Sequence, residues 1–248
     1  MRVKENIIMF KNLWQTFYDC FIDAGSWKLY LIGLRNTLII AIGACLLGLL
    51  IGVIVTCVRV APKNNVFVKI LNAIAHVYVT VIRGTPVVLQ LFICYFVLLA
   101  GIKSQGFFGI KYTNGIYVAI VTFGINSGAY MSEILRGGIN SVDYGQTEAG
   151  RSLGMTWLQT FFKIVLPQAL KSAIPTMFNE FITLVKETSV AGYVGIIDLT
   201  KIKDTITVQN MELYMPLFII AAIYLLVVLG LQQLQRLIER RLRKSDKH

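Results

Sequence analysis

The chain has 248 residues, 56% of them hydrophobic and only 15% charged, with a mean hydropathy of +0.66. Soluble domains run at roughly 45–50% apolar and about 25% charged, so the soluble classes are excluded. The net charge of +11 would suggest nucleic acid in a soluble protein. In a membrane protein it reads first as Lys and Arg retained on the cytoplasmic side, and no nucleic-acid partner is expected.

Residues 36–58, 112–132 and 213–235 contain no Asp, Glu, Lys or Arg, giving uncharged windows of 23, 21 and 23 residues. A hydrocarbon core of about 30 Å needs roughly 20 helical residues to cross. The pattern predicts an all-α membrane protein with about five transmembrane helices.

Residues 1–30 form an amphipathic segment in which Lys11, Asp19, Asp23 and Lys28 interrupt the apolar run. That pattern lacks the unbroken apolar stretch of a cleaved signal peptide. Phe10, Trp14, Phe17 and Phe21, three and four residues apart, predict an interfacial helix on the extracytoplasmic side. A transmembrane region is expected over 31–235, followed by a basic cytoplasmic tail over 236–248.

Span 1 is placed at 32–58, where Gly43, Gly48 and Gly52 allow close helix approach. Span 2, at 66–100, is too long for one straight crossing. Arg83-Gly84-Thr85-Pro86 breaks it, because proline lacks the amide donor and clashes with the preceding turn. Spans 3, 4 and 5 are placed at 117–135, 173–197 and 213–234. Five crossings put the termini on opposite faces. With the C-terminus inside, Arg59, Lys63, Lys69, Arg136, Arg151, Lys163, Lys171 and the basic tail are all cytoplasmic. Cys20, Cys45, Cys57 and Cys94 include no CxxC pair and read as small packing residues. With two histidines in the chain, metal chemistry is not expected.

The long polar loop, 136–171, has folded character. Asp143 is positioned to cap a helix through Leu153, with Gly154 following its end, and Thr156 and Gln159 have capping-box spacing. Pro167 is expected to divide this second helix from span 4. Two short helices meeting at a glycine form a knob suited to a soluble partner.

Glu148-Ala149-Gly150, then Gly154, Ile164 and Leu166-Pro167, resemble the EAA-x3-G-x9-I-x-LP loop of ABC-type importer permeases, with Gly150 in place of the third alanine. Further segments are similar to the polar amino-acid branch of that family (histidine, glutamine, arginine and cystine type). They are Arg83-Gly84-Thr85-Pro86, Asn126-Ser127-Gly128-Ala129-Tyr130, Glu133-Ile134 with Arg136-Gly137-Gly138-Ile139, Leu166-Pro167-Gln168-Ala169-Leu170, Asn179-Glu180-Phe181 and Lys186-Glu187-Thr188-Ser189.

The resemblance implies a type I importer permease fold, and a coupling loop that docks on a dimer of ATP-binding subunits. It also implies a second permease subunit, identical or paralogous, and an extracytoplasmic amino-acid-binding protein. The implied coupling residues are Glu148, Ala149, Gly150, Gly154 and Met155. The chain has no GxxxxGK[ST] phosphate loop, so ATP and Mg2+ are expected on the partner ATPase, with no cofactor and no catalysis here.

Ionisable residues inside a membrane are functional candidates, since each costs about 2.5–3.5 kcal/mol to insert. An amino-acid zwitterion needs a cation or helix N-terminus at one end and a carboxylate at the other. Arg83 and Thr85 at the break are candidates for the first, Glu180 and Glu187 for the second, with Asn126, Ser127 and Asn179 as hydrogen-bonding groups. The bland alternative is that these charges pair with one another, as Arg83 with a glutamate. Glu133 and Lys186 read as structural, and His76 as a packed or interfacial residue. Two other functions would place different demands on the sequence. An ion-coupled secondary transporter would show internal repeats, which are absent. An intramembrane enzyme would need companions for Ser127 or His76, and the sequence offers none.

Overall fold

The computed structural model describes the backbone of residues 2–62 and 65–244 and side chains within 12–23, 25–62 and 65–242. Phe10 of the predicted interfacial stripe, Lys63, and the tail from Arg243 onward lie outside the described side chains.

Ten α-helices follow in order among the described residues: α1 (Arg2–Phe21), α2 (Trp27–Val60), α3 (Val66–Gly84), α4 (Val87–Ile93), α5 (Ile116–Asn140), α6 (Tyr144–Ser152), α7 (Trp157–Thr160), α8 (Leu166–Glu187), α9 (Ile202–Asn210) and α10 (Tyr214–Lys244). Four are long and apolar enough to cross a membrane: α2, α3, α5, and α10 through Leu242. Helix α8 has 22 residues, sufficient length, but carries Glu180, Lys186 and Glu187. At 1.5 Å per residue, the 31-residue α10 is about 46 Å long, so the last span continues without a break into the basic segment as far as Lys244.

Two predicted boundaries shift. Span 4 ends as an α-helix at Glu187, and Thr188–Val194 winds as a 3-10 helix instead. The Thr188 hydroxyl donates to Val185 O, and Gly195 at φ +82° accepts the left-handed turn that stops the winding. Pro167 does not divide two helices. A π-helical turn, Phe161–Val165, joins α7 to α8, with Leu166 N–H donating to Phe161 O. The wider turn accommodates a residue that has no amide donor.

The chain divides into two units, residues 1–40, 91–119 and 185–229 in the first and 41–90, 120–184 and 230–248 in the second. In the first, Cys20, Tyr30, Leu199, Ile202, Ile206, Ile219 and Ile220 form a buried cluster. Phe17 and Phe21 of the predicted aromatic stripe on α1 pack against it, while Trp14 is exposed. Ring centroids lie 5.7 Å apart for Trp14–Phe17, 5.4 Å for Phe17–Phe21 and 5.7 Å for Phe21–Tyr30.

Asn36, fully buried, donates to the carbonyls of Tyr112 (2.8 Å) and Ile197 (2.7 Å), stapling two loops to α2. Asp198, also fully buried, accepts from the amides of Thr200 (3.0 Å) and Lys201 (2.8 Å). Burial pushes its carboxyl up to about 6, against the opposing pull of those amides. The folded protein therefore holds a proton between about pH 4 and 6 that the unfolded chain has released, and stability falls as pH rises through that window. Asp198→Asn is expected to remove a pH dependence on the order of 3 kcal/mol. Melting curves of parent and variant from pH 4 to 7 check it, and equal slopes would refute it.

In the second unit, α2 and α5 pack through glycines. A β-carbon added at Gly43 would lie 2.9 Å from Ile120, at Gly48 2.9 Å from Ser127, and at Gly52 2.6 Å from Met131. Residue numbers rise together on both helices, so the two run parallel. The chain between them must therefore return to the face from which α2 started. Cys57 is exposed and lines an apolar groove with Val60, Leu135, Ile139 and Trp157, where the sequence predicted a packed residue.

Candidate functional site: a broken helix, an ion cluster and a coupling knob

The break falls where proline chemistry puts it. Helix α3 ends at Gly84, Thr85 is extended (φ −118°, ψ 144°), and α4 starts at Val87. Ending a helix orphans its last carbonyls. Gln90 meets them: its Nε2 donates to Ile82 O (2.8 Å), Thr85 O (3.1 Å) and Thr85 Oγ1 (2.8 Å). Its Oε1 accepts from Asn126 Nδ2 at 3.0 Å. Thr85 and Asn126, both predicted pathway residues, are thus joined by a residue that sequence reasoning missed. Its signal was available, as the one amide in the apolar stretch 87–99.

Arg83 approaches Glu133 at 3.8 Å and its guanidinium lies 5.2 Å from the Tyr130 ring. Glu133 is also bound by Arg59 and, at 2.6 Å, by Arg136. The bland alternative, Arg83 paired with a glutamate, describes this arrangement. Arg59, in sequence a topological charge, is thus also part of an ion cluster. Asn72 on α3 donates to Arg59 O (3.4 Å), while Arg83, eleven residues later, reaches the carboxylate that Arg59 holds. Helix α3 therefore touches both the end of α2 and the Glu133 carboxylate of α5.

Ser127, fully buried, donates to Glu180 Oε1 at 3.2 Å. Asn179 is exposed beside Glu180, and Glu187 belongs to the first unit. His76 is exposed, and the Ser127 hydroxyl is directed to a carboxylate rather than to an imidazole.

The knob follows its sequence signals closely. Asp143 caps α6 by accepting from Gly145 N (2.8 Å). The helix ends in a Schellman motif: Met155 N donates to Gly150 O (3.1 Å), Gly154 N to Arg151 O (3.0 Å), and Gly154 takes φ +81°. Thr156 and Gln159 complete the capping box.

Glu148 is the fifth of nine residues in α6 and exposed, so it lies past the first turn where the helix dipole would favour it. Ala149 is exposed beside it, whereas Gly150 is buried. A β-carbon at 150 would sit 2.8 Å from Thr160 Cγ2 and 3.0 Å from Ile164 Cδ1. Glycine at the pattern's third alanine therefore serves close packing of α6 on its own support. Met155 is half-buried and its carbonyl accepts from Arg151 Nη1 (2.9 Å), so the structure gives it a role in closing the turn.

Residues 48–244 match the binding-protein-dependent transport system inner membrane component, and the chain belongs to that family, a class of multi-pass membrane permeases. It is 35% identical over 211 residues to a putative glutamine transport system permease protein of Rickettsia bellii, covering 85% of this chain and 91% of that one. An L-cystine transport system permease protein of Bacillus subtilis is 35% identical over 222 residues, 89% of each chain. An arginine transport system permease protein of the same organism is 35% identical over 216 residues, 86% of this chain and 92% of that one. Among solved structures, a chain of an amino acid ABC transporter crystallised with histidines aligns with TM-score 0.76 and 35% identity, covering 86% of this chain and 94% of that one. The methionine ABC transporter in an inward-facing form shares the fold, at TM-score 0.71 and 21% identity, over 89% and 99% of the two chains.

Proposed function

We infer that this chain is the membrane-spanning subunit of an ATP-binding-cassette importer that moves a polar amino acid inward by alternating access. The observation that carries the reading is likeness along 85–89% of the chain to permeases named for glutamine, cystine and arginine. The capped knob supports the coupling half, with Tyr144, Glu148, Ala149 and Leu153 exposed for a partner.

In this reading two ATPase subunits bind ATP and Mg2+, and this chain catalyses nothing. A second permease subunit completes the pathway, and an extracytoplasmic binding protein delivers the amino acid. The assembly sits in a bacterial plasma membrane, N-terminus outside and C-terminus cytoplasmic. The parallel run of α2 and α5 favours an odd number of crossings up to α5, and the continuous basic end of α10 favours an inside C-terminus. Arg83, Thr85, Asn126, Ser127, Asn179, Glu180 and Glu187 remain the assigned pathway, with the Ser127–Glu180 pair the best buried ammonium acceptor among them.

Proteoliposomes holding the chain, its ATPase subunit and the binding protein, offered a panel of labelled amino acids, are expected to take up a polar one only with ATP. Glu180→Gln should lower that uptake by about tenfold or more. Uptake driven by an ion gradient without the ATPase would favour the secondary transporter. Equal uptake of all amino acids tested would sink the substrate class.

A further inference from the structure

We propose that Glu133 is a positioning residue for transport, fastening the broken end of α3 to the stalk that bears the coupling knob, with Arg83 as the releasable arm. The inference rests on the reading of the knob as the point where ATP-driven movement enters.

The ion cluster is unequal. One carboxylate faces three guanidinium groups. Arg59 and Arg136 hold it closely, whereas Arg83 stands at 3.8 Å with its side chain 43% exposed and leans on Tyr130. When Arg83 leaves, Glu133 keeps two partners and no buried carboxylate is stranded. Repulsion from Arg59 and Arg136 eases that departure. Removing either of those two would instead break the hub. The arrangement thus has one detachable member, and it is the one at the helix break.

The other side of Glu133 is stiff. One turn beyond it, α5 runs into the knob with hydrogen bonds at each step. Ser141 N donates to Gly137 O (3.0 Å), Ser141 Oγ to Gly138 O (2.8 Å) and Val142 N to Ile139 O (3.3 Å), and then Asp143 caps α6. A β-carbon at Gly138 would meet Ala169 O at 2.7 Å, so α5 is also braced on α8. A displacement of α6 therefore moves Glu133 instead of being absorbed by a slack loop. At the far end, Thr85 is extended and Gln90 ties the break to Asn126, which is buried. Knob, stalk, hub, Arg83 and break form one contiguous series with a single loose joint, the kind of element whose two positions both sites can bias.

The test uses the permease with its ATPase subunit in nanodiscs, reading hydrogen exchange over residues 84–90 with and without a non-hydrolysable ATP analogue. In the parent, nucleotide should change exchange there by about fivefold or more, and in Glu133→Gln by less than about twofold. Uptake should fall about tenfold, with Glu133→Asp recovering part of both responses. Glu133→Gln leaves Arg59 and Arg136 unpaired and can fail to fold. Arg83→Gln leaves the hub intact, so it should melt within about 2 °C of the parent yet lose the same nucleotide response. The double variant should be no worse than Glu133→Gln alone, as expected of partners in one interaction. A parent-like nucleotide response in folded Glu133→Gln or Arg83→Gln overturns the inference. A parent complex that neither answers nucleotide nor transports overturns the permease reading instead.

Discussion

Gly52→Val is expected to abolish accumulation of folded protein. At this position α2 and α5 meet backbone to backbone. An added β-carbon would fall 2.6 Å from Met131 Cβ and 3.1 Å from Ser132 N. The same contact is closed by Thr56, whose hydroxyl reaches Gly52 O at 2.7 Å and Ser132 O at 3.2 Å. No flexible side-chain end is there to yield, so the helices must separate and lose their packed face. Overpacking typically costs about 1–3 kcal/mol, and a clash with main chain belongs at or above the upper end. Gly137→Ala is the matched control: it lies on α5 with nothing within 4 Å of its added carbon, and should be neutral or slightly stabilising. Detergent-extracted yield and melting temperature read both. Parent-like yield of Gly52→Val would contradict the packing argument.

Gly154→Val should leave the membrane helices intact and remove ATP-driven uptake by about tenfold or more. The reason differs from that at Gly52. Nothing lies within 4 Å of the added carbon, but φ is +81°, which costs an L-residue about 1–2 kcal/mol and a β-branched one more. That cost falls on the Schellman turn that fixes α6 to its support. Asparagine tolerates the left-handed region, so Gly154→Asn should retain most uptake while Val loses it. Insertion and assembly with the ATPase subunit are checked by co-purification, and uptake in proteoliposomes. Equal uptake by the Asn and Val variants would show that the positive φ is irrelevant to coupling.

These two glycines illustrate how far the residues could be read in isolation. Gly154 was legible because its neighbours declare it: Asp143 ahead, Thr156 and Gln159 behind, all within one local segment. The break at 83–86 was legible for the same reason, since proline acts on its own turn. Gly52 was recognisable only as one of several glycines in an apolar run. Gly150 read as a departure from a pattern, until Thr160 and Ile164 proved to occupy the space where a methyl group would go. Glu133 read as structural with local pairing in view, which Arg136 supplies three residues on, but Arg59 stands 74 residues away and could not be read. The Gln90 clasp and the Asn36 staple went unread, since each joins segments distant in the chain.

Composition and local residue spacing were sufficient by themselves for the all-helical membrane class, the break and the capped knob. Each follows from local rules: a minimum length to cross hydrocarbon, a missing amide, a cap beside the groups it satisfies. Only the tertiary structure decided which charges meet, that Gln90 clasps the break to Asn126, and that Ser127 bonds Glu180. Those outcomes depend on the relative placement of helices, and long polar side chains reach over distances that sequence spacing does not encode.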